Sequence, residues 1–366
     1  MTDVLFEIGA ISELPSVVAR HGIRLPLIVT DQGVTTAGLI EKATSGLGRC
    51  PIFDATPSNP TQAAVELAVA AFNAASADGI VAVGGGSVID LAKAVALAAT
   101  HSGSLAEYAA IVGGAERITA AVAPVIAVPT TSGSGSEVGR ASLIILEDRR
   151  KVAIISPHLL PRCAICDPTL TMSMPPSLTA GSGMDAIAHC IETFLSPRVN
   201  PPAEAIALDG LKRAISQIKR AVRVPSDTFA RSEMMMAALE GGLCFQKGLG
   251  AVHALSHALC ADAPFLHHGT LNGILLPAVL RFNGTTCLPK YDRIRLALRI
   301  DAKADLADVL ANSHRSLGLP ARLRDLGVIR DRFPKVAREA MNDLSHGTNP
   351  RTASEKDYLG ILEESY

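Results

Sequence analysis

The chain has 366 residues, which at roughly 150 residues per domain is enough for two domains, each with its own core. Lys and Arg number 34 against 35 Asp and Glu, a net charge of −1, which excludes the basic surplus of a general nucleic-acid binder and the polybasic patch of a protein held on anionic lipid. Hydrophobic residues at 48% and charged residues at 19% exclude a disordered chain, and 4% aromatics with no Trp argues against base-stacking platforms and aromatic sugar-binding grooves.

The predicted elements run as follows in chain order. The opening MTDVLFEIGAISELP carries Asp3 and Glu7 where a signal peptide has a basic start and a long apolar run, and no later stretch approaches the roughly 20 apolar residues of a membrane span, so a cytoplasmic location is expected. LPLIVTD (25–31) reads as a buried strand. TQAAVELAVAAFNAASA (61–77) reads as a helix begun by Asn59-Pro60-Thr61 and stopped near Asp78-Gly79. GIVAVGGG (79–86) is a strand running into a glycine turn, SVIDLAKAVALAAT (87–100) the next helix and VAPVIAVPTT (122–131) another strand. Alternation of this kind implies parallel strands with crossover helices. Beyond Pro175-Pro176 the β-type runs nearly vanish. SLTAGSGMDAIAHCIETFL, AEAIALDGLKRAISQIKRAV, TFARSEMMMAALEGGLCFQ and ADLADVLANSHRSLG carry helical periodicity instead. The expected architecture is α/β plus all-α: a doubly wound parallel-sheet, Rossmann-like dinucleotide-binding domain over residues 1–175, then a helical metal-binding and catalytic domain over 176–366, with a ligand cleft between them.

Two turns carry candidate binding chemistry. Gly84-Gly85-Gly86-Ser87 lies between a strand and a helix, where glycines admit a phosphate close to the backbone and the helix start offers free N–H groups. Pro129-Thr130-Thr131-Ser132-Gly133-Ser134-Gly135-Ser136-Glu137 also follows a strand and offers hydroxyls to phosphate or ribose oxygens. Either could be a tight βα turn that binds nothing; two such turns on one sheet favour a nucleotide. Neither is Gly-x-Gly-x-x-Gly or a P-loop. Asp31, closing the first strand, suits hydrogen bonds from ribose hydroxyls and repels a 2′-phosphate, and equally suits a helix N-cap.

The second half carries a different chemistry. Asp185 and His189 stand four apart in a helical pattern, on one face and one turn apart, so both can reach one metal ion. His253 and His257 repeat that spacing, and His267 and His268 follow. Buried polar clusters must be hydrogen-bonded or hold a metal. Spacing leaves open whether His-x-x-x-His supplies two ligands or one ligand and a proton carrier. One carboxylate and three imidazoles leave a coordination position free, which points to catalysis. Nucleotide turns in one domain and a metal in the other suggest hydride transfer across the cleft, with the metal polarising an alcohol or carbonyl oxygen. Other features are read as structural. Cys163 and Cys166 lie in a strand-like run that points them to opposite faces, and seven cysteines without a framework spacing fit reduced thiols. Met234, Met235 and Met236 read as helix core. Lys151 reads as a strand-edge residue. Glu192, seven residues after Asp185 on the same face, is either a partner behind a ligand or a surface charge.

With these residues in place, the chain resembles the iron-dependent (group III) alcohol dehydrogenases over nearly its whole length, from FEIGAISELPSVVARHG to SHGTNPRTASEKDYLGIL. The most specific pieces are GGGSVIDLAKA, PTTSGSGSE, DPTLTMSMPPSLTAGSGMDAIAHCIE and HALSHALCADAPFLHHGTLNGILLP. The resemblance implies an N-terminal dinucleotide-binding domain and a C-terminal helical one. By the same resemblance Asp31 favours NAD over NADP, and Gly85, Gly86 and Ser87 form the pyrophosphate turn with Asp90 in its usual acidic position. Thr130, Thr131 and Ser134 belong to the second cofactor loop, and Lys151 matches a cofactor-contacting lysine. Asp185, His189, His253 and His268 match the ligands of Fe²⁺, sometimes Zn²⁺, and His257 the nearby unliganded histidine, a proton relay. The family spaces its third and fourth ligands about fourteen residues apart. Here His267 is fourteen and His268 fifteen residues beyond His253, and the His-Gly-x-x-Asn segment favours His268. CADAPF replaces the usual glycine-containing stretch and is expected to reshape the pocket.

The implied activity is NAD-linked, metal-dependent interconversion of a small-molecule alcohol with its aldehyde or ketone by a homodimer, with no nucleic acid or membrane partner. The alternatives are 4-hydroxybutyrate dehydrogenase or maleylacetate reductase-like action on a carboxylated substrate. Maleylacetate reductases usually lack the acid at position 90 and the full metal set, and glycerol dehydrogenases carry Lys where Ser87 stands. A dehydroquinate synthase-like lyase needs a basic pocket, and no Lys/Arg cluster accompanies the histidines.

Overall fold

The structure is a computed structural model describing residues 1–366. Eight strands and five helices fill the first half: β1 (Asp3–Phe6), α1 (Leu14–Arg20), β2 (Pro26–Val29), α2 (Gln32–Thr36), α3 (Leu39–Thr44), β3 (Ile52–Phe53), α4 (Gln62–Ala74), β4 (Gly79–Gly84), α5 (Gly86–Ala98), β5 (Val125–Pro129), β6 (Ala141–Ile145), β7 (Lys151–Ile155) and β8 (Cys163–Cys166). Six strands form one sheet in the order β1-β8-β5-β4-β2-β3, every pair parallel. This is the doubly wound layer that the alternation of elements implied.

Side-chain alternation shows why both faces are covered. Leu27, Val29, Ile80, Ala82 and Ala127 point to one side, into a core shared with α4 and α5. Ile28, Val81, Val83, Ile126, Val128, Cys163 and Ile165 point to the other, onto α1 and α3. A strand buried on both faces must be apolar at every position, hence the unbroken runs PLIV and GIVAVG. Cys163 and Cys166 are buried free thiols within β8.

In the first half α1, α2, α3, β1, β3 and β6 have no counterpart among the predicted elements. β1 is a four-residue edge strand flanked by charge, too short to announce itself by periodicity. β6 and β7 form a separate antiparallel pair, turned at Arg149, whose φ of 64° is left-handed. That pair interrupts the strand–helix alternation and places Lys151 at the start of β7.

The second half is helical throughout: α6 (Pro176–Leu195), α7 (Pro201–Arg223), α8 (Thr228–Cys244), α9 (Ala251–Asp262), α10 (His268–Leu298), α11 (Leu306–Ser316), α12 (Phe333–Met341) and α13 (Glu355–Glu364). α6 is buried on all sides from Thr179 to Leu195. Its small residues make that possible, because neighbours approach its backbone directly. A Cβ on Gly269 of α10 would sit 2.2 Å from the Gly181 carbonyl oxygen and 2.9 Å from Asp185 Cβ, so the two helices cross in near contact. No helix is long and apolar enough to cross a membrane. The chain divides into two compact units: residues Met1–Thr131 with Ser136–Ser173, and Met174–Tyr366 together with the tetrapeptide Ser132–Gly135.

Candidate functional site

In the helical unit, α6, α9 and α10 bring four side chains around one point. Asp185 and His189 come from one turn of α6, and His253 from the first turn of α9. His268 opens α10. Around Asp185 Oδ1 lie His253 Nε2 at 3.6 Å, His268 Nε2 at 3.7 Å and His189 Nδ1 at 3.8 Å. The ligand atoms of Asp185, His189 and His253 all lie within 4.8 Å of one another. The rings of His189 and His253 stack at 4.5 Å between centroids.

These distances are too long for hydrogen bonds and close to the separation of ligands on one ion, since donors about 2.0–2.2 Å from a tetrahedral metal lie about 3.3–3.6 Å apart. Other observations support the fit. His189 Nδ1 is buried with no hydrogen-bond partner. Asn272 turns its amide nitrogen, a donor, into the same point, 2.8 Å from Asp185 Oδ1, 3.1 Å from His268 Nε2 and 3.3 Å from His253 Nε2. Acceptors converging from three helices thus draw the one donor within reach. A hard carboxylate with borderline imidazoles suits Fe²⁺ or Zn²⁺.

Burial and neighbouring charge act differently on the members of this group. Burial works against the Asp185 carboxylate, but the imidazoles of His189, His268 and His253 outweigh it and hold its pKa well below the usual range. Burial pushes His189 down to about 4, so its ring is neutral with one nitrogen lone pair to offer. His253 is also penalised by burial, yet the Asp185 carboxylate at 3.6 Å and the hydrogen bond to Glu192 raise it to about 9.

Behind this group stands a layer of acids and amides. Glu192 is buried, accepts from His253 Nδ1 at 2.6 Å and takes the Val252 backbone N–H at 2.7 Å. It therefore orients the imidazole and caps the start of α9 together. Asn349 caps the same end through the Ala251 N–H at 3.1 Å and pairs with Asn283. His257 holds Asp343 Oδ2 through Nδ1 at 2.9 Å, and its ring stacks on His268 at 5.1 Å and 12°. Burial raises the Asp343 carboxyl, but the His257 ring outweighs this and keeps it ionised below its ordinary range.

The paired histidines part company here. His267 Nδ1 accepts the Thr270 N–H at 3.2 Å as the N-cap of α10, and its ring lies over Gly181. His268, one residue on, is the one that meets Asp185. Sequence reasoning missed Asn272 and Asp343. Asn272 had a signal, an amide one turn after His268 in an apolar run, and the fold buries it completely. Asp343 had none, because it meets His257 only through the tertiary fold.

In the α/β unit, Gly85 is the N-cap of α5 and Gly86 its first residue. None of Gly84, Gly85 and Gly86 has a positive φ. Closeness is what they provide: a Cβ on Gly84 would strike the Val88 side chain at 2.5 Å, and one on Gly85 would press Thr131 at 3.1 Å. Ser87 Oγ donates to the Ser58 carbonyl, and Lys151 Nζ donates to Asn59 Oδ1 at 3.0 Å. The Thr130 N–H donates to the Gly84 carbonyl at 3.1 Å, so the second turn leaves its strand beside the first. Asp31 Oδ1 caps α2 through the Val34 N–H at 2.9 Å. Asp90 spends its carboxylate on Ser136 Oγ at 2.5 Å and the Leu143 N–H at 3.1 Å. Ser134 lies in the tetrapeptide that packs with the helical unit.

A parallel sheet with glycine turns and a helical unit that gathers a carboxylate and three imidazoles around a candidate metal site are the parts an oxidoreductase of the dinucleotide-linked class needs. Comparison with known proteins makes that specific. Residues 1–168 match the family model for iron-containing alcohol dehydrogenase and residues 179–366 the model for the C-terminal part of the Fe-containing alcohol dehydrogenase family. A 4-hydroxybutyrate dehydrogenase of Cupriavidus necator is 51% identical, covering 100% of this chain and 98% of that protein. The crystal structure of a 1,3-propanediol oxidoreductase superposes with a TM-score of 0.93 at 32% identity, covering 100% and 98% of the two chains. A sulfoacetaldehyde reductase from Bifidobacterium kashiwanohense, solved with NAD⁺, has a TM-score of 0.88 at 25% identity, covering 100% and 96%. The chain belongs to the iron-containing alcohol dehydrogenase family and is an oxidoreductase of the alcohol dehydrogenase type.

Proposed function

We propose that the protein interconverts a primary alcohol and its aldehyde with NAD(H), and that its substrate is an ω-hydroxy acid of the 4-hydroxybutyrate kind. The observation that carries the reaction is the convergence of three imidazoles on Asp185 Oδ1. The substrate class is supported by the 51% identity to a 4-hydroxybutyrate dehydrogenase, and NAD by the NAD⁺ complex of the sulfoacetaldehyde reductase.

On this reading Asp185, His189, His253 and His268 hold Fe²⁺ or Zn²⁺ in a helical metal-binding domain. The α/β domain holds the dinucleotide through Asp31, the Gly85–Ser87 turn, Asp90, Thr130, Thr131, Ser134 and Lys151. A bound ion supplies Lewis acidity toward the alcohol oxygen, and the nicotinamide supplies a hydride acceptor. The remaining work belongs to side chains of the chain. Glu192 accepts a hydrogen bond from the Nδ1–H of His253 and leaves Nε2 facing the other ligands. Asp343, held as a carboxylate, accepts a hydrogen bond from the Nδ1–H of His257. That fixes the tautomer with the lone pair on Nε2, the atom that takes the alcohol proton.

The test is nicotinamide absorbance with a panel of 4-hydroxybutyrate, 1,3-propanediol, ethanol and the matching aldehydes, with protein reconstituted with Fe²⁺ or Zn²⁺. We expect metal-dependent NADH formation with kcat/KM highest for 4-hydroxybutyrate. Preference for uncharged alcohols would overturn the substrate class. Turnover of a cyclic phosphorylated substrate without net NADH would replace the reaction by a lyase.

A further inference from the structure

The mechanism leaves the buried cations Lys93, Arg231 and Lys247 without a role, and of these Lys93 stands on the helix that the glycine turn opens. Lys93 lies on α5, two turns beyond the glycine turn, and its side chain is completely buried. Its Nζ donates to Ser136 O at 2.7 Å, Ser136 Oγ at 2.8 Å, Gly139 O at 2.8 Å and Ala141 O at 2.9 Å. An ammonium has three protons, so four acceptors oversubscribe it and fix its direction. Asp90, one turn earlier on the same helix, extends the grip. Its Oδ1 lies 3.9 Å from Nζ and accepts the Ser136 hydroxyl, its Oδ2 accepts the Leu143 N–H, and its carbonyl accepts Ser142 Oγ at 2.7 Å.

This arrangement is costly. Burial pushes Lys93 down to about 8 and the neighbouring Glu137 carboxyl up to about 7. An apolar side chain of similar volume would fill the space without that desolvation penalty. What the charge secures is the segment it grips. Ser136 is where the chain re-enters the α/β unit after the Ser132–Gly135 tetrapeptide, so it is the downstream stem of the Thr130–Ser136 turn. The helix that carries Lys93 begins in the Gly85–Ser87 turn.

We infer that Lys93 is a positioning residue for dinucleotide binding: it ties the stem of the Thr130–Ser136 turn to the helix of the Gly85–Ser87 turn, so both stand in register before the ligand arrives. The inference rests on the reading of these turns as the dinucleotide site. A turn held beforehand spares the ligand the cost of ordering it, so loss of the tie raises Kd and leaves the chemistry of the bound complex alone.

The experiment titrates NADH by fluorescence into metal-loaded full-length wild type, Lys93→Met and Ser136→Ala. Met keeps the apolar stem and cannot donate. Ser136→Ala deletes only the hydroxyl that links Lys93 to Asp90. For Lys93→Met we expect Kd and KM for the dinucleotide to rise about tenfold or more, with kcat at saturating NAD⁺ and KM for the alcohol within about threefold and metal content unchanged. Ser136→Ala should raise Kd about threefold with a melting temperature near that of wild type. A variant that melts lower yet binds NADH with the wild-type Kd reduces Lys93 to structural support and overturns the inference. If Lys93→Met does not fold, Ser136→Ala decides, and a wild-type Kd there overturns it. Wild type that binds no NADH at all defeats the reading of the turns, and the inference with it.

Discussion

At the scale of single residues, neighbouring identical side chains receive different work from their backbone. His267 has extended backbone as the N-cap of α10 and accepts an N–H there, while His268 is the first helical residue and projects toward Asp185. His267→Ala should therefore cost about 1 kcal/mol of stability, the worth of a cap, and keep most of the bound metal and activity. His268→Ala should lose both metal and turnover while melting close to the apo wild type. Metal analysis beside thermal melts separates the two, and the reverse pattern would exchange their roles. Glu192 shows the limit of periodicity in the same way. Its place seven residues after Asp185 put it on the right face, but whether that face met solvent or His253 was not encoded locally. The fold brings the start of α9 to it and makes it a buried partner of His253 at 2.6 Å.

At the scale of elements, the candidate metal centre depends on how closely α6 and α10 cross. Gly181 and Gly269 set that distance, since any side chain at 269 meets backbone atoms that cannot swing aside. Gly269→Ala should push the helices apart, separate Asp185 from His268, lower metal affinity by at least about tenfold and cost about 1–3 kcal/mol through overpacking. Gly284, in the same helix with nothing within 4 Å of a Cβ, is the control: its change to Ala should be neutral or stabilise by up to about 1 kcal/mol. Chelator competition and thermal melts on the pair check both halves. The parallel strands were legible because burial on both faces demands unbroken apolar runs. β1 and the β6–β7 pair were not, because a short edge strand and a half-exposed hairpin carry little such signal.

At the scale of the whole molecule, the buried ionisable groups of the α/β unit shape stability against pH. Glu137 is raised from an ordinary value of 4.5 to about 7 by burial. Between those values the unfolded chain has released the proton that the folded chain still holds, so this residue makes stability fall as pH rises across that window and adds no further slope above it. Lys93, lowered from 10.5 to about 8, acts oppositely: the unfolded chain binds the extra proton between those values, so stability gains as pH rises through them. Denaturant midpoints from pH 4 to 8 for wild type and Glu137→Gln check the first effect. The difference between the two proteins should grow in favour of the variant up to about pH 7 and then level off. A constant difference across the range would show that Glu137 is ionised in the folded protein.

Residue order alone determined where strands and helices alternate, where the helical half begins, which turns carry glycine and hydroxyls, and that Asp185 shares a helix face with His189. Those properties depend on periods of two and 3.6 residues and on local turn chemistry, all of which act within a few positions. The His-Gly-x-x-Asn segment already favoured His268; only the tertiary structure decided that His267 caps a helix, that Asn272 points toward Asp185, that Asp343 holds His257 across 86 positions, and that Lys93 grips the stem of the second turn. Apart from the His267 cap, which reaches only to Thr270, these contacts join residues far apart in sequence, and packing geometry sets them.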